Sequence, residues 1–101
     1  MDTMVYSIDE LTRILSPVFA EHKVKRAVLF GSYGKGHPSA NSDVDLFVDS
    51  GLKGLEFVGL IEDIRDSLQG KEADVFDVRH VDPGSLIEKE IQRTGIEIYA
   101  Q

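Results

Sequence analysis

The stretch VKRAVLFGSYGKGHPSANSDVDLFV, residues 24–48, decides how this chain folds. Val24, Ala27, Val28, Leu29 and Phe30 form an apolar run that reads as a strand over Val24 to Phe30 and stops at Gly31. Gly31-Ser-Tyr-Gly-Lys-Gly36 and then His37-Pro-Ser-Ala-Asn-Ser42 are turn chemistry, and Asp43 to Val48 resumes as a second strand. The unit is therefore strand, loop, strand, with two aspartates at the mouth of the second strand.

Upstream, Ser7 reads as a helix cap with Glu10 three residues on, the spacing of a capping box. Ile8, Leu11, Leu15, Val18 and Phe19 follow at helical spacing, and Pro17 blurs where that helix ends. Downstream, Leu55 to Gln69 carries apolar residues at 57, 58, 61, 64 and 68 and closes on Gly70, which suits the residue after a helix end. Ala73 to Val78 reads as a third strand. Asp82-Pro83 opens a third helix that runs through Ile87 and Ile91 to Gly95, and Ile96 to Tyr99 is a short last strand. The order α-β-β-α-β-α-β predicts an α/β (α+β) fold with helices packed on a mixed β-sheet, because a loop joins the first two strands and helices join the later ones.

Composition bounds the function. With 101 residues there is room for one core, so residues 1–101 are expected to form a single domain. Eighteen acidic against eleven basic residues give a formal charge of -7, which opposes a footprint on duplex nucleic acid or on an anionic membrane. Cysteine is absent, which excludes disulfide frameworks, thiol catalysis and Cys-ligated zinc and agrees with a reducing, cytoplasmic setting. No segment has the apolar length of a membrane helix. Met-Asp-Thr-Met at the start lacks the features of a signal peptide, so no leader is expected.

Asp43 and Asp45 lie two apart in a predicted strand, so both carboxylates leave the same face about 6.6 Å apart at the backbone. Strand-end aspartates are commonly solvated turn residues. A pair flanking Val44 at the start of an apolar strand, however, places charge where core is wanted, and hard divalent cations such as magnesium want such oxygen ligands. The preceding Gly31-Ser32 turn exposes backbone N–H groups and a hydroxyl with no side chain to obstruct a phosphate. The glycines match neither a dinucleotide fingerprint nor a Walker loop, so the signal lies in the pairing of a phosphate cradle with a carboxylate pair one loop away. Asp74 and Asp77 on the third strand point to opposite faces. His22, His37 and His80 form no i, i+4 pair. His37 alone sits in the glycine-rich loop, and Tyr33 there could stack on a base or face water. Lys23, Lys25 and Arg26 are the basic cluster, either a solvated face or an aid to an anionic ligand.

Gly31-Ser32-x-Gly-Lys-Gly36 followed by Ser42-Asp43-Val-Asp45-Leu resembles the signature of the minimal nucleotidyltransferases, single-domain members of the DNA polymerase β-like nucleotidyltransferase superfamily that include MntA-like antitoxins. The commonest form has Ala-Arg where this chain has Gly34-Lys35. Lysine there keeps the charge and loses the bidentate fork. The resemblance implies that Gly31 and Ser32, with Lys35, Gly36 and Ser42, hold ATP and that Asp43 and Asp45 bind two magnesium ions. It also implies a third carboxylate as general base or further ligand, and Ala73-Asp74-Val75-Phe76 fits the family's pattern better than Asp77 does. The implied reaction moves AMP from ATP to a hydroxyl. The implied acceptor is a tyrosine of a small helical HEPN-type toxin, towards which the transferase acts as antitoxin. A partner chain or a homodimer would complete so open a site. The alternative is a catalytically silent antitoxin or protein-binding module with the same fold, although Gly31, Ser32, Asp43, Asp45 and Asp74 are all present.

Overall fold

The computed structural model describes residues 5–36, 38, 39 and 41–101. The chain runs α1 (Ile8–Glu21), β1 (Arg26–Phe30), α2 (Gly31–Lys35), β2 (Val44–Asp49), α3 (Leu55–Ser67), β3 (Ala73–Asp77), a 3-10 turn (Val78–His80), α4 (Leu86–Thr94) and β4 (Ile96–Ala100). The four strands form one sheet in the order β3-β2-β1-β4, with β1 antiparallel to both β2 and β4, and β2 parallel to β3. The mixed sheet expected from the sequence is present, and α3 makes the crossover that its one parallel pair requires.

Strand alternation sets the two faces. Val44, Leu46 and Val48 of β2 are buried on one face, with Ala27 and Leu29 of β1 and Ala73 of β3. There they meet Leu11, Leu15 and Phe19 of α1 and Leu60 and Ile64 of α3. Each buried Val, Leu, Ile or Phe among them contributes about 1.5–3 kcal/mol by leaving water. The expected capping box starts α1: Glu10 N–H donates to Ser7 Oγ (3.0 Å) and Ser7 N–H donates to Glu10 Oε1 (2.8 Å). The helix continues through Pro17 to Glu21, where His22 Nε2 meets Asp63 Oδ2 of α3 at 2.7 Å.

Several elements differ from the sequence reading, among them β1, which begins at Arg26 rather than Val24, and α3, which ends at Ser67 rather than Gln69. Residues 31–35 form a short helix where turn chemistry is expected, and the third strand ends at Asp77, with Val78 starting the 3-10 turn. α4 begins at Leu86, capped by Ser85, whose Oγ accepts the Glu88 N–H at 3.1 Å. Asp82-Pro83-Gly84 is instead a turn closed by the Ser85 N–H on the Asp82 carbonyl.

Asp77 faces the core side of β3 and is fully buried. Its Oδ1 accepts the Ser50 N–H (3.0 Å) and hydroxyl (2.6 Å), and its Oδ2 accepts from Arg79 Nε (3.1 Å). Burial alone would raise its pKa, but the Ser50 and Arg79 hydrogen bonds outweigh burial and hold the carboxyl below the ordinary range. A depressed carboxyl stabilises fully above its unfolded pKa of about 3.9, and that contribution is lost as pH falls through the lower folded value. Urea titrations of the native chain should therefore show an acid loss of stability that Asp77→Asn removes, at a cost near neutral pH of roughly 2–4 kcal/mol. An unchanged acid profile in Asp77→Asn contradicts this account.

Candidate active site

The face of the sheet opposite α1 and α3 carries the alternate residues. Phe30 of β1, Asp45 of β2 and Asp74 of β3 are consecutive register partners, so they form one row across three strands. Asp43, exposed, sits one residue before β2 at the same end of the sheet. The structure thus brings Asp74 beside Asp45 and sends Asp77 to the other face. The next row holds Val28, Phe47 and Phe76, and the Phe30 and Phe76 rings meet with centroids 5.9 Å apart. Beyond them a cleft of about 540 Å³ opens between Phe47, Val78 and Val81 and the Ile91 face of α4.

Gly31 follows Phe30 with φ +72°, a left-handed conformation that glycine adopts without strain. Its backbone presses on the carboxylate row: a Cβ built there would lie 2.4 Å from Asp45 Oδ2. Asp45 is pushed up to about 6, first by burial and then by the charges of Asp74, Asp43 and Glu90. The two chemical causes of a raised carboxyl, desolvation and like charge, act together here.

Oxygen donors crowded in this way suit a hard cation. Among the described residues, Asp43, Asp45 and Asp74 take part in no ion pair, and a divalent ion would relieve the repulsion that raises Asp45. The donor set fits magnesium in kind. The side chains do not already form a closed cage, since among the described residues no group of three or more His, Asp or Glu is gathered closely enough to hold a metal. One or two protein carboxylates with phosphate oxygens and water are what magnesium commonly takes.

The glycine-rich segment is built differently from an open turn. α2 begins at Gly31, Ser32 is half-buried on it, and Lys35 ends it with Gly36 in a left-handed C-cap. Tyr33 points into the core, 1% exposed, and so neither faces water nor presents itself to a base. Ser42 spends its hydroxyl on the loop, accepting the Ser39 N–H at 2.9 Å. His37 lies outside the described residues. Lys23, Lys25 and Arg26 stand at the far end of β1, roughly 16 Å of strand from Gly31, and Arg26 Nε pairs with Glu97 at 2.6 Å. The basic cluster is therefore not part of this site.

Sequence reasoning missed the contribution of α4. Thr94 Oγ1 accepts the Gly31 N–H (3.0 Å) and donates to the Glu90 carbonyl (2.8 Å), while the Glu90 carboxylate meets Lys35 Nζ at 3.5 Å. Gly34 allows this approach, because a Cβ there would lie 2.3 Å from the Thr94 carbonyl oxygen. Alanine, commonest at this position in the resembled signature, would push α4 away. Gly34→Ala should cost about 1–3 kcal/mol in thermal or urea unfolding. No loss of stability would show that α4 yields freely.

Known proteins share the family and the fold of this chain. Residues 13–101 match the family described as Polymerase beta, Nucleotidyltransferase. A chain of Methanocaldococcus jannaschii that carries the provisional name protein adenylyltransferase, MJ0435, is 32% identical over 94 residues, covering 91% of this chain and 98% of its own length. Among solved structures, a toxin-antitoxin crystal structure with AMP-PNP superposes with a TM-score of 0.74 at 20% identity, over 89% of this chain and 73% of the other. The tri-AMPylated Shewanella oneidensis HEPN toxin in complex with MNT antitoxin gives 0.69 at 16% identity, over 93% and 73%. At these identities the structural likeness establishes the fold.

Proposed function

We infer that this chain, which belongs to the polymerase β nucleotidyltransferase family, transfers AMP from ATP to a hydroxyl of a partner protein. The row of Asp45 and Asp74, with Asp43 beside it and the Gly31 backbone against it, carries this reading. The chain is a nucleotidyltransferase by family. The adenylyl group, the magnesium and the acceptor are the finer part of the inference.

Asp43, Asp45 and Asp74 would hold up to two magnesium ions, which when bound offset the charge on the phosphate oxygens and align the attacking and leaving oxygens. Ser32 and the backbone of α2 lie against the triphosphate, with Lys35, Gly36 and Ser42 bordering it. Asp74, exposed near the start of β3, accepts the proton of the acceptor hydroxyl. The acceptor oxygen then bonds to the α-phosphorus, the bond from that phosphorus to its bridging oxygen breaks, and pyrophosphate leaves. The Phe30 and Phe76 rings bound the carboxylate row on its apolar side and limit water there.

A tyrosine hydroxyl of a HEPN-type toxin is the acceptor we favour, with the chain acting as antitoxin. The tri-AMPylated toxin beside a structurally similar antitoxin supports this. A cytoplasmic setting for both proteins belongs to the same proposal; among the described residues no helix is long and apolar enough to cross a membrane. The test is transfer from ATP labelled at the α or the γ position, with magnesium or with chelator, to a purified HEPN-type toxin protein. Magnesium-dependent α-label on that protein without γ-label supports adenylylation. γ-Label alone indicates phosphoryl transfer, and association with the partner without any label supports the catalytically silent binding module.

A further inference from the structure

We propose that Glu90 is a positioning residue for nucleotide binding. It holds the Lys35 ammonium against α4 in the free protein, and Lys35 exchanges Glu90 for phosphate oxygens when a nucleoside triphosphate enters. The inference rests on the nucleotide site described above and adds to it a residue of α4 outside the signature.

α2 and α4 are fastened by uncharged contacts, and the charged pair between them is looser. The Gly31 N–H to Thr94 Oγ1 bond and the close fit of Gly34 under the Thr94 carbonyl fix where Lys35 starts from. Glu90 lies one turn before Thr94, 28% exposed, with Oε2 3.5 Å from Lys35 Nζ and Oε1 2.5 Å from Arg93 Nη2. Lys35 is 47% exposed, and a pair this open and this long is weak and screened by salt. A triphosphate offers the ammonium a denser cluster of anionic oxygens. When Lys35 leaves, Arg93 still neutralises Glu90, so no buried charge is stranded.

The test is calorimetric titration of AMP-PNP with magnesium into the wild-type chain, Glu90→Gln, Lys35→Met and the double variant, at low and high salt, with melting temperatures recorded. Glu90→Gln should bind about two- to fivefold tighter at low salt, and the gain should shrink at high salt and largely vanish in the Lys35→Met background. Arg93→Met should bind more weakly, because Glu90 then holds Lys35 alone. Unchanged or weaker binding by Glu90→Gln, or a gain that persists undiminished without Lys35, overturns the proposal while leaving the nucleotide site standing. A folded wild-type chain that binds no AMP-PNP with magnesium removes the nucleotide site and this proposal together.

Discussion

Asp45→Asn is expected to abolish nucleotide transfer and, in metal-free buffer at neutral pH, to raise the melting temperature. The loss follows from its place between Gly31 and Asp74, where it supplies both charge and an oxygen ligand. It should amount to roughly 10²–10⁴-fold or more, the range for a positioned acid-base or ligand group. The gain follows from the raised pKa of Asp45, about 6, caused by burial and then by Asp74, Asp43 and Glu90. A carboxyl with a raised folded pKa weakens the fold while it is charged, and this cost disappears as pH falls through the folded value. The stabilising effect of Asp45→Asn should therefore be largest above about pH 6 and fade below it. Such opposed changes in activity and stability are expected where a site concentrates like charges. An Asp45→Asn chain that melts lower than wild type at neutral pH would show that the carboxylate is a structural partner rather than a strained functional group.

Gly31→Ala should cost activity out of proportion to stability. The methyl group would sit 2.4 Å from Asp45 Oδ2 at a backbone φ of +72°, so the carboxylate must turn away or α2 must shift. The backbone penalty is about 1 kcal/mol and the crowding adds about 1–3 kcal/mol. A misplacement near 1 Å at a reacting centre can cost about 10²-fold in rate. Gly70→Ala is the matched control: its φ of +83° is equally unfavourable, yet its Cβ would meet nothing within 4 Å, so it should lose stability and keep full transfer. Equal activity in Gly31→Ala and Gly70→Ala would mean that the contact between Gly31 and Asp45 does not position the carboxylate.

The parts of this molecule legible in the sequence are those whose signals are local. The capping box at Ser7 and Glu10, the alternation through Val44, Leu46 and Val48, and the helical spacing of Phe57, Ile64 and Leu68 each report their own element. Alternation by itself separates Asp74 from Asp77, and the register then sets Asp74 beside Asp45. α2 was not legible because a five-residue helix with glycines at 31 and 34 has no periodicity to read and poor intrinsic propensity. It is held by tertiary contacts, chiefly from Thr94, 63 residues away from Gly31. Asp82-Pro83 is a sound helix-start signal that loses to Ser85, since the turn at Gly84 uses up those residues and Ser85 offers the better-placed cap. Glu90 and Thr94 lay beyond reach for the same reason as α2: nothing in their own segment marks them, and only the return of α4 across β1 brings them to the site.

The most direct test of the transferase reading compares the native chain with Asp43→Asn/Asp45→Asn in the presence of ATP, magnesium and a HEPN-type toxin protein, reading the acceptor by intact mass and then by peptide mapping. The account predicts acceptor carrying one or more AMP groups on a hydroxyl side chain with the native chain and none with the folded double variant. An acceptor equally modified by the double variant, or a native chain that binds its partner tightly and never modifies it, would contradict the assignment of these carboxylates to catalysis.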